Sequence, residues 1–206
     1  METQAPVLGE PLPVELMNTV WADSDGVHDA LATADEAAAW LATVATRADV
    51  ASADLFGGMD APDVDQLARR LRRLRDALRR LAAEVTADPR AAASSPLADL
   101  EAAVAEVNRA AAETPRWWTL NWTADTQPSR TAHAAKLPPY ALVSQIAEDA
   151  VSLFADPRQP HLRACLAPGC VLYFIKSPPR REWCSPTCGN RARVARHYRR
   201  HHTNLP

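Results

Sequence analysis

Apolar residues recur along much of the chain at alternating spacings of three and four. Val64, Leu67, Leu71, Leu74, Leu78, Leu81 and Val85 keep that rhythm after Asp60 and Pro62, which predicts one long helix stopped by Asp88-Pro89. Leu97, Leu100, Val104 and Val107 repeat it behind Ser95-Pro96, read as N-cap and first-turn proline, so the two stretches should form a helical hairpin. Such a seam also suits a coiled-coil dimer, but three heptads followed at once by a matching helix fit an intramolecular pair better. Upstream, Leu12 to Trp21 reads as a short apolar helix. A second starts at Thr33, with Thr33 and Glu36 in capping-box spacing and Ala37, Trp40, Leu41 and Val44 on its inner face. Downstream the period changes to two: Trp118, Leu120 and Trp122 alternate with Thr119 and Asn121, and Asp125 to Pro128 offers a turn. A β-hairpin ending near Lys136 is expected. Pro138-Pro139 then opens a helix with Leu142, Val143, Ile146, Ala150, Leu153 and Phe154 inward, closed by Asp156-Pro157. The predicted fold class is α+β, mainly α, with a helical domain over residues 1–157 and a small C-terminal domain over 158–206.

Composition narrows the class. The chain has 206 residues, 47% hydrophobic and 23% charged, enough to bury a real core. No run approaches eighteen apolar residues, and Met1 to Pro13 lacks the basic start and apolar stretch of a signal peptide, so a cytoplasmic protein with no membrane partner is expected. Abundant Ala, Arg and Asp with few Lys, Asn and Ile suggest a GC-rich bacterial genome. Residues 1–157 contain only His28 and His133 as histidines, with no catalytic constellation, and Gly57-Gly58 reads as a loop; no enzymatic role is expected. Charge is divided sharply. Net charge is −2, yet residues 158–206 hold ten Lys and Arg against Glu182 alone, or +9, leaving −11 on residues 1–157. A basic segment of this kind is the footprint of a polyanion-binding element. The arginines at 69, 70, 72, 73, 75, 79 and 80 lie among acids and read as a solvated helix face.

All four cysteines fall in the basic segment: Cys165-x4-Cys170, thirteen residues, then Cys184-x3-Cys188. Two close pairs around a short hairpin are how a tetrahedral site is assembled, each pair giving two ligands from one turn. Val171 to Ile175 reads as a strand, Ser177-Pro178-Pro179-Arg180 as a turn, and Glu182-Trp183 as the returning strand. Ser185 and Pro186 suit the cap and first turn of a helix that carries Cys188 back toward Cys184. The layout is that of a treble-clef finger holding one Zn2+. Four sulfur ligands leave no open position, so the metal is read as structural. Two disulfides or a redox pair suit a cytoplasmic setting less well, and a rubredoxin-type iron site uses pairs two residues apart.

Trp183-Cys184-Ser185 and Cys188-Gly189-Asn190-Arg191, behind an aromatic strand and a basic turn, resemble the CGNR zinc-finger family. Leu16-Met17-Asn18-Thr19, the stretch Asp29 to Trp40 and the late helix resemble the ABATE domain that usually precedes that finger. The resemblance implies a stress-induced transcription regulator: a DNA-binding finger with a regulatory N-terminal domain. At about 100° per residue from Cys188, Arg193, Arg196, His197 and Arg200 face away from the metal with Asn190 at the margin. Arg and Asn suit guanine and adenine edges, so this face is expected in the major groove of double-stranded DNA, with Arg180 and Arg181 at the hairpin touching phosphates. Ala192, Ala195 and Arg199 should turn toward the zinc, Val194 and Tyr198 pack on the hairpin, and Arg191 brace the finger. A single finger reads few base pairs, which favours a homodimer or a second contact. Trp117, Trp118 and Trp122 are read as hairpin core, with a small-molecule effector pocket as the alternative. RNA binding, and a zinc-stabilised protein-interaction module, stand as other uses of the basic helix.

Overall fold

In the computed structural model, residues 5–48, 55–156 and 161–202 are described. The long helix forms as expected, over Ala61–Thr86 (α3 below), with Asp60 as N-cap in a reciprocal capping box with Asp63 and a left-handed Ala87 (φ 47°) ending it. Its Leu67, Leu71, Leu74 and Leu78 are buried, each worth roughly 1.5–3 kcal/mol of transfer free energy. Around it pack α1 (Leu12–Met17), α2 (Ala34–Ala45), α4 (Leu100–Ala112) and α5 (Pro138–Ala155). The Thr33–Glu36 capping box is present, and Ala37, Trp40, Leu41 and Val44 are buried as expected. The fold is mainly α with three separate antiparallel strand pairs: β1–β2 (Val20–Ala22, Val27–Asp29), β3–β4 (Arg116–Asn121, Ser129–Ala134) and β5–β6 (Leu162–Ala164, Tyr173–Ile175). α6 (Pro186–His202) completes the chain. No described helix is long and apolar enough to cross a membrane. The boundary expected between 157 and 158 falls outside the described residues.

Several expectations change. The helix from Leu12 ends at Met17, and Trp21 lies in β1; Asn18 leaves the helical path because its amide is engaged by the finger. The second helix of the hairpin starts at Asp99, whose carboxylate accepts from the N–H groups of Glu101 and Ala102, rather than at Ser95. The Ser95 hydroxyl instead donates to Asp76 O at 2.7 Å. With that start, Ala103, Val107 and Ala110 face inward, while Leu100 and Val104 are exposed. The pairing with α3 is intramolecular all the same, and small alanines allow the close approach.

Of the arginine run on α3, Arg69 and Arg73 are exposed as expected, but the others are not a solvated face. Arg79 is only 2% exposed and donates to Met17 O (2.8 Å), Ala93 O (2.9 Å) and Val171 O (3.4 Å), joining the last turn of α1, a 3-10 turn at Ala91–Ala93 and the finger. Arg75 pairs with Asp29 and Asp76, Arg70 with Glu113, and Arg72 donates to Leu31 O at 2.6 Å. Nor is the β3–β4 ribbon a core element. It adopts the expected hairpin, but Trp117, Trp118, Leu120 and Trp122 are 50, 44, 71 and 66% exposed. Trp117 stacks on His133 and Arg130 sits 3.9 Å above the Trp118 ring, so these two indoles pack on their own ribbon.

Candidate metal centre and finger helix

Residues 162–175 form a hairpin around the first cysteine pair. β6 pairs with β5, which precedes Cys165, and not with Glu182-Trp183, which forms no strand. This corrects the expected strand order: the knuckle Cys165–Cys170 is the turn of the hairpin. Cys165 N–H donates to Leu172 O and Cys170 N–H to Ala167 O, and Gly169 supplies the positive φ (72°) that closes the loop. The second pair is set by α6. Ser185 Oγ accepts from Cys188 N–H at 3.2 Å with Pro186 in the first turn, as expected, which aims Cys188 back at Cys184. Gly189 lies directly under the indole: a Cβ there would lie 3.1 Å from Trp183 Cδ1.

The four sulfurs lie within 4.8 Å of one another, with Cys170–Cys184 at 3.8 Å and Cys184–Cys188 at 3.4 Å. A tetrahedron with Zn–S of about 2.3 Å has edges of about 3.8 Å, so one zinc fits this set; the sulfurs are unbridged and too far apart for S–S bonds. All four are buried, and four sulfur donors would complete the tetrahedral shell of a structural zinc. Hydrogen bonds from Cys165, Cys170 and Cys184, with Arg191 joining, hold Cys188 strongly toward thiolate, and those from Cys170 and Cys184 bring Cys165 down to about 7. A bound zinc would neutralise these thiolates and contribute to folding. Arg191 donates to Cys188 Sγ at 3.0 Å, the bracing role expected of it.

The four-cysteine knuckle, the tryptophan over Gly189 and the basic helix match, over residues 161–201, the model of the CGNR zinc finger. Residues 10–157 match that of ABATE, described as "Putative stress-induced transcription regulator". The chain belongs to the ABATE family. No curated protein matches it significantly. The ABATE segment and the finger share one core in this chain: Leu162 and Tyr173 are buried among the residues of α1, α3 and α5.

The residues proposed for a partner divide on inspection. Asn190, Arg193, Arg196, His197 and Arg200 are all exposed on α6, and Arg193 donates to Asn190 Oδ1. Arg180 is exposed in the turn. Arg181 is engaged within the protein: it donates to Cys184 O (2.7 Å), Trp183 O (3.2 Å) and Ile175 O (3.3 Å), pairs with Glu10 (2.6 Å) and covers the Phe174 ring. Ala192 is buried as expected, but Val194 and Tyr198, expected to pack on the hairpin, are 54 and 61% exposed. Tyr198 stands with Ala195 and Arg199 beside Leu166 and Pro168 of the knuckle, which cover it only in part. Beside it, Arg193 and Arg196 line an open cavity of about 740 Å³ with Trp183, Leu8 and Ser185.

Proposed function

We propose that this protein is a zinc-dependent transcription regulator whose α6 docks in the major groove of double-stranded DNA, with residues 1–157 as the regulatory domain and 158–206 as the finger. The observation that carries this reading is the exposure of α6. From Arg193 to Arg200 every residue but the half-buried Ala195 is exposed, a stretch of roughly 12 Å at 1.5 Å per residue, comparable with a groove about 12 Å wide. Its exposed surface carries Asn190, Arg193, Arg196, His197 and Arg200, and Arg180 stands in the preceding turn. Asn190 holds the Arg193 guanidinium by its Oδ1, which limits that side chain's rotamers before binding. Because one such helix reads few base pairs, two copies on neighbouring half-sites complete the reading.

The test is selection from random duplex DNA by zinc-loaded full-length protein at two salt concentrations, with Cys184→Ser as control. An enriched motif is expected, lost in the control. Arg193→Ala and Arg196→Ala should each weaken it by about 1–3 kcal/mol if they contact base edges. Intact affinity in both variants, or binding that is sequence-blind and vanishes with salt, sinks the groove reading. Preference for single-stranded RNA or for a protein partner would transfer α6 to the other uses of a basic helix. Point variants on α6 are preferable to removal of the finger, since removal strips Leu162 and Tyr173 from the common core.

A further inference from the structure

Three arginines grip the four cysteines, and one of them comes from outside the finger. Arg191 donates to Cys188 Sγ and Arg181 to Cys184 O, both local contacts. Arg90 reaches the first pair from the segment between α3 and the 3-10 turn. Its Nη1 donates to the carbonyls of Cys165 (3.0 Å), Cys170 (3.0 Å) and Leu172 (3.2 Å). These carbonyls belong to the backbone that sets the separation and direction of Cys165 Sγ and Cys170 Sγ. The guanidinium is itself fixed. Asp88 accepts from Nε (2.7 Å) and Nη2 (2.6 Å) and also from the Tyr173 hydroxyl (2.7 Å), and the group lies 5.1 Å from the Tyr173 ring centroid. The Arg90 side chain is 12% exposed and that of Asp88 2%.

We propose that Arg90 is a positioning residue of the metal centre, holding the knuckle in its ligating geometry from the ABATE segment so that zinc occupancy and the order of the α3–α4 connection support each other. Groups behind a metal's ligands orient them and contribute to affinity. Usually such groups sit on the same small motif. Here the three carbonyls converge on one guanidinium whose other nitrogens are taken by Asp88, so the finger alone cannot reproduce the arrangement. The proposal rests on the zinc reading of the cysteine cluster and is independent of DNA binding.

The experiment measures the zinc affinity of the full-length chain by competition with a chromophoric chelator, and the ligand geometry from the thiolate-to-metal and ligand-field bands of the Co2+-loaded protein. The variants are Arg90→Met, Arg90→Lys and Tyr173→Phe. Methionine keeps the stem and loses every donor; lysine keeps the charge but lacks the fork. Tyr173→Phe loosens the same latch at Asp88 without touching a cysteine carbonyl, and so reports what lost stability does by itself. Arg90→Met is expected to weaken zinc by about 10- to 100-fold, with altered cobalt bands. Arg90→Lys should recover part of the loss, and Tyr173→Phe should lower the melting temperature with zinc affinity near wild type. Wild-type affinity in Arg90→Met, or a loss matched by Tyr173→Phe at equal thermal stability, overturns the proposal. Should Arg90→Met not fold, Arg90→Lys decides it: wild-type affinity and cobalt spectrum there would refute a positioning role.

Discussion

Arg75 and Arg79 follow Leu74 and Leu78 by one residue, which puts them at the border of the buried stripe of α3 and not opposite it. That offset was present in the sequence, but a run of seven arginines reads first as solvated charge. What decides burial is the supply of acceptors, which no spacing displays: Arg79 finds three backbone carbonyls contributed by residues 14, 62 and 92 positions away. Burial presses on the Arg79 guanidinium in the direction of a lowered pKa, and the carbonyls keep it hydrogen-bonded. Gly189 shows the opposite case, a motif residue whose reason is purely steric. With Trp183 Cδ1 3.1 Å from where its Cβ would lie, Gly189→Ala forces the indole to give by a few tenths of an ångström, and the gain in helix propensity offsets that cost. Gly189→Val adds two methyl groups against the same ring and should destabilise the finger by about 1–3 kcal/mol. Chelator-induced unfolding of the two variants checks this; a valine variant as resistant as the alanine one would remove the packing explanation.

At the level of elements, long periodic helices were legible and short strands were not. α2, α3 and α5 fall where their periodicity and caps place them, because a stripe of four or more apolar residues overrides local alternatives. β1, β2 and β5 have three residues each, too few for an alternation to show, and each pairs only with its neighbour in sequence. The zinc ligands were legible for a different reason: cysteine spacing is a chemical signature that needs no tertiary context, whereas the order of strands around it does. The β3–β4 ribbon separates pattern from burial. Its alternation predicted a hairpin and a core, and only the hairpin formed. Trp122→Thr should therefore change unfolding free energy by less than about 0.5 kcal/mol, while Leu74→Ala on α3 should cost about 2–5 kcal/mol. Urea denaturation compares them directly, and a costly Trp122→Thr would mean that the ribbon is covered in solution.

Taken whole, the molecule is fastened across its two family segments by ionisable groups, and this gives its stability a pH profile. Burial alone would push the Asp88 carboxyl up, but hydrogen bonds from Arg90 and Tyr173 more than offset it and hold it below the usual range. A depressed carboxylate stabilises the fold above its unfolded pKa, about 4, and that contribution is lost as pH falls through the folded value. Tyr173 is pushed up to about 12, first by burial and then by its bond to Asp88. Its contribution is complete below about pH 10, where neither state ionises, and declines above it as the unfolded chain sheds the proton first. The stability gap between wild type and Tyr173→Phe should be equal at pH 7 and 9 and narrower at pH 11, read from urea unfolding of zinc-loaded protein. A gap unchanged at pH 11 would show that the phenol titrates alike in both states.

One further consequence follows from the contacts along the outer side of β6. The Asn18 side-chain amide occupies both the N–H (2.8 Å) and the carbonyl (2.9 Å) of Tyr173, Glu10 takes Ile175 N–H (3.0 Å), and Arg181 and Ser177 N–H share Ile175 O. Asn18 thus imitates one peptide unit of a missing strand. A foreign β-strand meets no vacant donor or acceptor at these positions, so the β6 edge of the finger's sheet is closed to strand addition and to the aggregation that open edges invite. Among the described residues β3 and β4, like β1 and β2, pair only with each other, and neither ribbon shows a side chain standing in for a third strand in the way Asn18 does.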